Sequence, residues 1–387
     1  MKYASWTNDL RQSFLGEILK TASYTETISF AGGLPAQELF PNQELKECFN
    51  QVFEEDGPIA LQYAEARGYE PLRQWIYDRI NTRSKLKTTS EIIITTGSQQ
   101  GLSLVAQTFL DPGDIVLVES PTYLGALQAF QGYRPRFVMV PCDEEGIIPE
   151  ELAEILTKCQ PKYLYVIPNY QNPTGRQLSL ARRLEIIEIA RRFNLLILED
   201  NPYGELRFEG EALPDLRDLY ENVIYLGSFS KILSPGLRVG FLVADQKTVS
   251  YIERAKEGVD LFSNNLTQRA VYKYITSRNF KEHILKLRKV YCERRDTMLQ
   301  AFKDYLGSDV QVETPKGGLF IWAKILKTKD SLEFLNYAQA EKVIYVPGTF
   351  FYPDGRRSNE MRINYSCSSP EVIEEGIKRL GRAVERI

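Results

Sequence analysis

The chain has 387 residues, of which 43% are hydrophobic and 26% charged, and these values are typical of a soluble globular protein with one large domain or two. Its formal net charge of −3 offers no basic surface to nucleic acid or to an anionic membrane, so we expect neither as a partner. No apolar run reaches the roughly 18 residues of a transmembrane helix, and residues 1–12 are too polar for a signal peptide.

The cysteines and the single histidine narrow the possible chemistry. Five scattered cysteines without CxxC spacing indicate free thiols in a cytoplasmic protein, so we expect neither a disulfide framework nor a metal site. The histidine, His283, lies in the helix-like segment KEHILKLRKV, and we interpret it as a surface residue. A Ser-His-Asp triad therefore has only one poorly placed candidate for its base.

The predicted elements begin with an amphipathic helix at about residues 9–22 and a glycine-rich segment, SFAGGLPAQELFP, at 29–41. Nearly continuous apolar runs then alternate with helix-length amphipathic runs. Such runs are typical of strands that are buried on both faces, which predicts an α/β fold with a mostly parallel sheet between helices. The predicted strands are 91–96, 114–120, 163–168, 195–200, 223–228 and 237–244, and the helices between them include 97–110 and 180–194.

The C-terminal part has a different pattern. A long helix is predicted from about residue 279 to 305, strands at 317–325 and 361–366, and a last helix at 370–385. This order favours a second, smaller α+β domain. We therefore expect a large domain at 43–280 and a discontinuous small domain formed by 1–42 and 281–387.

Polar residues follow five of the predicted strands, and ligands of open α/β sheets bind outside the carboxyl ends of the strands. Each of these residues also has a structural alternative. Ser98 could cap a helix, Asn172 could belong to a turn, Asp200 could cap a loop, the tyrosines could be core residues, and Lys231 could be an exposed loop charge. The candidates, in chain order, are Ser98, Gln99, Tyr123, Asn172, Asp200, Tyr203, Ser228, Ser230, Lys231 and Arg238.

Taken together, these residues match the groups of one cofactor. A phosphate favours helix N–H groups, hydroxyls and an arginine, which are supplied by Ser98, Gln99, Ser228, Ser230 and Arg238. A protonated ring nitrogen favours a carboxylate, a phenolic oxygen favours polar donors, a ring face favours an aromatic side chain, and an aldehyde favours an amine. Asp200, Asn172 with Tyr203, Tyr123 and Lys231 supply these in turn. The set predicts pyridoxal 5'-phosphate, an electron sink for carbanions.

The motifs carry a resemblance to a known family. NPTG (172–175), EDNPYGEL (199–206) and SFSKILSPGLRVGF (228–241) resemble, in type, order and spacing, those of the fold-type-I pyridoxal-phosphate-dependent aminotransferases of class I/II. ISFAGGLPAQELFP, LQYAEARGYEPLR and TTGSQQGL resemble segments of the branch that contains kynurenine and 2-aminoadipate aminotransferases. The resemblance extends from about residue 14 to the C-terminus and implies a large domain with a seven-stranded type of sheet.

The resemblance implies a role for each cofactor-facing residue. Lys231 would form the internal aldimine and later move the proton between the substrate α-carbon and the cofactor. Asp200 would pair with the pyridinium nitrogen, and Asn172 and Tyr203 would contact the phenolic oxygen. Tyr123 would stack on the ring.

Further roles are implied for residues outside the strand ends. Arg362, in MRINYS, matches the arginine that binds the substrate α-carboxylate, assisted by Asn172. Tyr63 matches a tyrosine that reaches the cofactor phosphate of the neighbouring subunit, so a homodimer is expected. Gly32 and Gly33 match a loop that closes over the substrate.

The implied reaction moves the amino group of an L-amino acid to a 2-oxo acid, with 2-oxoglutarate as the expected acceptor, by a ping-pong mechanism through a Lys231 Schiff base. Aromatic, branched-chain, kynurenine-like and aminoadipate-like donors all fit the family. Dicarboxylate-handling relatives commonly carry an arginine in the N-terminal helix, where this chain has Gly16, and Arg11 is out of register. Neutral donors are therefore favoured over a strict aminoadipate or glutamate preference.

Two alternatives remain open. A pyridoxal-phosphate-dependent C–S or β-lyase on the same fold would use the same Lys231. A ligand-sensing transcription regulator would need a winged-helix domain ahead of this fold, and residues 1–28 are too few for one. We therefore expect a cytoplasmic enzyme that binds small molecules.

Overall fold

The computed structural model describes residues 2–4, 7, 26–81, 86–277 and 280–387. The helix predicted at 9–22, with Gly16 and Arg11, lies outside these residues. The α-helices of the described ranges are α1 (Asn42–Ala60), α2 (Glu70–Ile80), α3 (Ser98–Phe109), α4 (Leu124–Gln131), α5 (Pro149–Lys158), α6 (Leu180–Phe193), α7 (Leu216–Leu219), α8 (Gln246–Asp260), α9 (Asn265–Thr276), α10 (Phe280–Tyr305), α11 (Ser331–Ala340) and α12 (Pro370–Val384).

The strands of the same ranges include every strand that the sequence predicts. They are β1 (Ile28–Ser29), β2 (Ile92–Thr95), β3 (Ile115–Ser120), β4 (Arg136–Asp143), β5 (Gly146–Ile147), β6 (Tyr163–Val166), β7 (Ile197–Asp200), β8 (Val223–Ser228), β9 (Gly240–Val243), β10 (Val310–Val312), β11 (Phe320–Ile325), β12 (Val343–Ile344), β13 (Val346–Pro347) and β14 (Glu360–Asn364).

A large mixed sheet forms the centre of the fold, with the strand order β2-β9-β8-β7-β6-β3-β4-β5 in the described part of the chain. Neighbouring strands from β8 to β4 run parallel, whereas β9 runs antiparallel to both β2 and β8. The predicted α/β fold with a mostly parallel sheet is therefore confirmed, and β4 and β5 extend the sheet beyond the predicted strands. Strands β2, β6 and β7 are buried along their whole length, which explains their continuous apolar sequences.

The carboxyl ends of β2, β3, β6, β7 and β8 lie at one edge of this sheet, because β9 is antiparallel to both of its neighbours. The predicted polar residues follow these five strands. The parallel arrangement therefore brings distant parts of the sequence to one place, as the topology rule for open sheets predicts.

A smaller sheet lies C-terminal to the large one. Its antiparallel order is β10-β11-β14-β13, and β14 carries Arg362 opposite Trp322 of β11. A separate parallel pair joins β1 to β12, so the N-terminal segment 28–29 packs with the C-terminal part of the chain. The boundaries at 42/43 and 280/281 stay a prediction. No helix within the described ranges has the length and apolarity that a membrane span requires.

Candidate active site

A cavity of about 330 Å³ opens at the shared carboxyl edge of the strands. Every site residue that the sequence predicts lines it, with the exception of Tyr63. A second cavity, of about 370 Å³, lies beside the 174–180 loop and contains none of the predicted residues. The lining of the first cavity also includes Gly32 of the glycine-rich segment, together with Leu34, Leu124, Ile167, Pro202 and Pro235.

The start of α3 forms one end of the cavity. Gly97 precedes the helix with a φ of 77°, and a Cβ at that position would lie 2.6 Å from Nη2 of Arg238. The first N–H groups of α3, from Ser98 onward, have no partner within the helix and carry the positive end of its dipole. A Cβ on Gly240 would lie 2.8 Å from the Ser98 nitrogen, so only glycine allows this close approach of β9.

Arg238 and two serines complete this end of the cavity. A 3-10 turn at Pro235–Leu237 reverses the chain, and Arg238 adopts a left-handed conformation with a φ of 53°. Its Nη2 donates a hydrogen bond to the Thr96 carbonyl at 3.0 Å, and the Ser230 N–H donates to Ser228 Oγ at 3.1 Å. The helix start, the hydroxyls and the guanidinium together have the donors that bind a phosphate group.

Lys231 lies between this end and the glycine loop. Its Nζ donates a hydrogen bond to the Gly33 carbonyl oxygen at 2.8 Å. Burial, followed by the nearby guanidinium groups of Arg362 and Arg238, lowers the pKa of the lysine to about 8. An amine with such a pKa is partly neutral near physiological pH, so it can act as a nucleophile or as a base. The alternative of an exposed loop charge does not fit these contacts.

Asp200 ends β7 and is almost completely buried. The Tyr165 hydroxyl donates a hydrogen bond to its Oδ2 at 3.0 Å, while its Oδ1 has no partner among the described residues. Burial raises the pKa of this carboxyl group to about 7. A buried carboxylate with a free oxygen that lines a cavity suits a cationic N–H donor.

Two tyrosines provide the aromatic surface of the cavity. The Tyr123 hydroxyl lies 3.5 Å from Oε1 of Gln99, whose Nε2 donates to the Gly125 carbonyl at 2.7 Å. The Gln99 side chain is thus engaged with Tyr123 and Gly125. Its backbone N–H, in the first turn of α3, is the group of Gln99 that remains for a ligand. The Tyr203 ring packs edge-on against Phe320, with centroids 5.8 Å apart. Burial raises the pKa of both phenols, so they remain neutral.

Arg362 lies across the cavity on β14. Its Nη1 donates to Asn172 Oδ1 at 2.8 Å and its Nη2 to the Ala31 carbonyl at 2.5 Å. The guanidinium carbon is 4.4 Å from the centroid of the Phe320 ring, and Nε has no partner among the described residues. Burial lowers the pKa to about 10, so the group stays cationic at neutral pH. Its planar donors suit a carboxylate.

Two side chains escaped the sequence analysis although they support the site directly. Tyr165 binds Asp200, and Phe320 packs on both Arg362 and Tyr203. The sequence feature that could have drawn attention to Phe320 is the double glycine 317–318 just before it. In the structure, a Cβ at either glycine would lie within 2.6 Å of Tyr170.

The interpretation of His283 as a surface residue is wrong. It is buried on α10 with its ring edge-on to Tyr274 at 6.1 Å, and burial lowers its pKa. Its position in the apolar stripe of Phe280, Ile284 and Leu287 could have indicated this. His283 does not line the cavity.

Tyr63 lies apart from the cavity of its own chain. It is 76% exposed and packs edge-on against Phe262, with centroids 5.6 Å apart. Other exposed apolar side chains lie close in the sequence: Ile59 and Leu61 precede Tyr63, and Leu261 precedes Phe262. This position is compatible with a contact to another subunit.

The residues of the cavity fit pyridoxal phosphate. The free Oδ1 of Asp200 and the free Nε of Arg362 are buried polar atoms that need partners, and a pyridinium N–H and a substrate carboxylate would supply them. The α3 start with Arg238 suits the phosphate, and Lys231 suits the aldehyde. No group of this cofactor lacks a matching side chain in the cavity.

Comparison with known proteins agrees with this geometry. Residues 27–380 match the model of the family described as aminotransferase class I and II. The crystal structure of an α-aminoadipate aminotransferase from Thermus thermophilus, complexed with N-(5'-phosphopyridoxyl)-L-leucine, is 40% identical with a TM-score of 0.93 and covers 99% of this chain and 97% of its own. A kynurenine aminotransferase from Pyrococcus horikoshii, in complex with PMP, is 37% identical with a TM-score of 0.95 over the same shares.

A third relative broadens the range of named activities. Aromatic-amino-acid aminotransferase 1 of Thermococcus litoralis is 39% identical over 97% of this chain and 92% of its own length. The match to the family model extends over most of the chain, and these relatives are similar over nearly their whole length. The chain belongs to the class I and II aminotransferases and is a pyridoxal-phosphate-dependent transaminase of fold type I.

Proposed function

We propose that this transaminase takes the amino group from a large neutral L-amino acid, aromatic, branched-chain or kynurenine-like, and gives it to 2-oxoglutarate. The observation that carries this is the composition of the cavity lining. Its described cations are Lys231, Arg238 and Arg362, and the proposal assigns each of them to the cofactor or to the substrate α-carboxylate. The lining around them includes Leu34, Leu124, Ile167 and Pro202, which favour an apolar substrate side chain.

The names of the relatives support the same range of donors. The Thermus relative was crystallised with a phosphopyridoxyl derivative of leucine, and the Thermococcus relative is named for aromatic amino acids. An aminoadipate-like donor remains within the family range, since the Thermus relative is named for it. We place it below the neutral donors because no further cation lines the described part of the cavity.

The proposed roles follow from the contacts of each side chain. Pyridoxal phosphate, when bound, supplies an electron sink for the carbanion at the substrate α-carbon. Lys231 Nζ takes the proton from that carbon, and its pKa of about 8 suits a base that works near neutral pH. Asp200 holds the proton on the ring nitrogen, and Arg362 with Asn172 orients the substrate by its α-carboxylate.

The remaining roles concern binding of the cofactor. Ser98, Ser228, Ser230 and Arg238 with the backbone of Gln99 hold the phosphate. Tyr123 packs on the ring face, and Tyr203 with Asn172 binds the phenolic oxygen. Gly33, whose carbonyl accepts the Lys231 hydrogen bond, belongs to a loop that covers the substrate.

We also propose a homodimer in which Tyr63 completes the site of the neighbouring subunit. The exposure of Tyr63 and its absence from the lining of its own cavity support this.

The division into a large domain, 43–280, and a small domain, 1–42 with 281–387, remains part of the proposal. The five cysteines are all free, which favours a reducing compartment such as the cytoplasm.

One experiment tests the substrate proposal. The purified protein with pyridoxal phosphate is incubated with a panel of amino acids and 2-oxoglutarate, and glutamate formation is measured. We expect the highest kcat/KM for leucine, phenylalanine, kynurenine or similar neutral donors. A preference for 2-aminoadipate by orders of magnitude over leucine, valine and phenylalanine would contradict the proposal. Release of pyruvate and ammonia from cysteine conjugates without an oxo acid would instead support the lyase, which no contact in the cavity favours over transamination.

A further inference from the structure

An ion pair between a buried lysine and a partly exposed aspartate lies behind the phosphate end of the cavity. Lys256, on α8, has no exposed side-chain surface, and its Nζ lies 3.0 Å from Oδ1 of Asp260, one helical turn further along. Burial lowers the pKa of Lys256, and the Asp260 charge opposes this. A fully buried lysine costs free energy even when it is paired, so the pair has to be explained by what else it contacts.

Asp260 uses its second oxygen on the loop that begins α3. Oδ2 accepts a hydrogen bond from Gln100 Nε2 at 2.6 Å and one from the Thr96 hydroxyl at 3.4 Å. The other end of the Gln100 side chain is also engaged, since its Oε1 accepts the Thr96 N–H at 2.7 Å. Both polar atoms of Gln100 are therefore fixed, one by α8 and one by the loop.

Thr96 passes this constraint to the cavity. Its carbonyl accepts the hydrogen bond from Nη2 of Arg238, and the next two residues are Gly97 and Ser98 at the helix start. The orientation of the Thr96 peptide groups thus sets both the guanidinium of Arg238 and the first free N–H groups of α3. Lys256, Asp260, Gln100 and Thr96 form a continuous series of contacts that ends at the proposed phosphate ligands.

We propose that Lys256 and Asp260, acting through Gln100, are positioning residues for the phosphate-binding loop 96–100. This inference rests on the proposed placement of the cofactor phosphate at the start of α3. The pair has no net charge, so its contribution is not attraction of the phosphate. It orients the donors before the ligand arrives, and preorganised donors lose less free energy on binding.

The test compares two ligands that differ only in the phosphate. The full chain, freed of cofactor, is titrated with pyridoxal phosphate and with pyridoxal, and both dissociation constants are measured by absorbance. The variants are Gln100→Met, which removes the link through Gln100 but keeps the ion pair and the direct Thr96–Asp260 contact, and Asp260→Ala, which removes both links. Glu257→Gln is the matched control, because Glu257 is an exposed acidic residue on the same helix.

Gln100→Met is expected to weaken pyridoxal phosphate binding about tenfold, the loss typical of a hydrogen bond to a charged group. Pyridoxal binding should change by less than about twofold. A variant that combines Gln100→Met with Asp260→Ala should bind pyridoxal phosphate no more weakly than the weaker of the two single variants. Asp260→Ala should show the same selectivity, and Glu257→Gln should match the wild type.

The outcomes separate this inference from the proposed function. Equal weakening of both ligands by Gln100→Met, or unchanged binding of both, would overturn the positioning role. A wild-type protein that binds pyridoxal as tightly as pyridoxal phosphate would instead overturn the placement of the phosphate at α3. Because Gln100→Met keeps the buried Lys256 paired with Asp260, the test does not depend on whether Asp260→Ala folds.

Discussion

The Tyr165 hydroxyl donates a hydrogen bond to Asp200 Oδ2 at 3.0 Å. The other carboxylate oxygen, Oδ1, is buried and has no hydrogen-bond partner among the described residues. Burial raises the pKa of Asp200 to about 7, whereas the hydrogen bond from Tyr165 favours the ionised form. In the role proposed for Asp200, the carboxylate must be ionised to hold the proton on the cofactor ring, so Tyr165 would support that role from outside the cavity lining.

Replacing Tyr165 by Phe should raise the pKa of Asp200. Because a hydrogen bond to a charged group is lost, the acid limb of the pH profile for uptake of pyridoxal phosphate by the cofactor-free protein should move upward by roughly one pH unit. Tyr163→Phe is the matched control, because Tyr163 lies on the same strand, is buried, and its hydroxyl has no partner among the described residues. Coincident pH profiles for Tyr165→Phe and the wild type would contradict the assignment.

Arg362→Lys should reduce kcat/KM for amino acid and oxo acid alike by about a hundredfold. Lysine keeps the charge but loses the planar pair of donors that fixes a carboxylate, and it cannot pack its head group on Phe320 in the same way. The affinity for pyridoxal phosphate should be unchanged. Steady-state kinetics and cofactor titration provide the measurement, with the exposed Arg356→Lys as control. A loss of cofactor affinity without a rise in KM would argue against the role.

Residues at the strand ends could be predicted from the sequence because the topology rule for parallel sheets is simple. Asn172, Asp200 and Lys231 follow three buried strands, and the structure brings them to one cavity. Arg362 and Gly33 come from segments far away in the sequence, and no local pattern marks them. Only the resemblance to a family predicted their position in the site.

Other features depend on packing that the sequence does not reveal. Tyr165 lies inside a strand that is buried on both faces, so no alternation distinguishes its side from that of its neighbours. Lys256 and Asp260 have the spacing of an ordinary surface pair on a helix, yet Lys256 is fully buried. His283 is a similar case, since its residue type indicated the surface while its position in the apolar stripe of the helix indicated the interior.

Mixed dimers test whether Tyr63 acts across the subunit interface. In a dimer of one Lys231→Ala chain and one Tyr63→Ala chain, exchange of Tyr63 between subunits gives one site with both changes and one with neither. Activity should therefore rise above the mean of the two homodimers after the chains are mixed and allowed to re-associate. If Tyr63 served its own subunit, each site would carry one change and mixing would bring no gain.

The rate at which the cofactor-free protein takes up pyridoxal phosphate should depend on pH in one direction. Asp200 ionises as the pH passes about 7 and Lys231 becomes neutral as it passes about 8, and both changes favour the complex. The rate should thus rise from about pH 6 to about pH 9 and then level off. The uptake rate is measured by stopped-flow absorbance. Pyridoxal serves as the control, because it lacks the phosphate group and its titration. A rate that falls across this interval would contradict the proposed pKa values.

The most direct test of the central claim is to locate the bond between protein and cofactor. The protein is saturated with pyridoxal phosphate, reduced with borohydride, digested and mapped by mass spectrometry. The account predicts a pyridoxyl group on Lys231, within the peptide that contains SFSKILSPGLR. Lys231→Ala should yield no labelled peptide. Labelling of a different lysine in the wild type, or no labelling at all, would contradict the account.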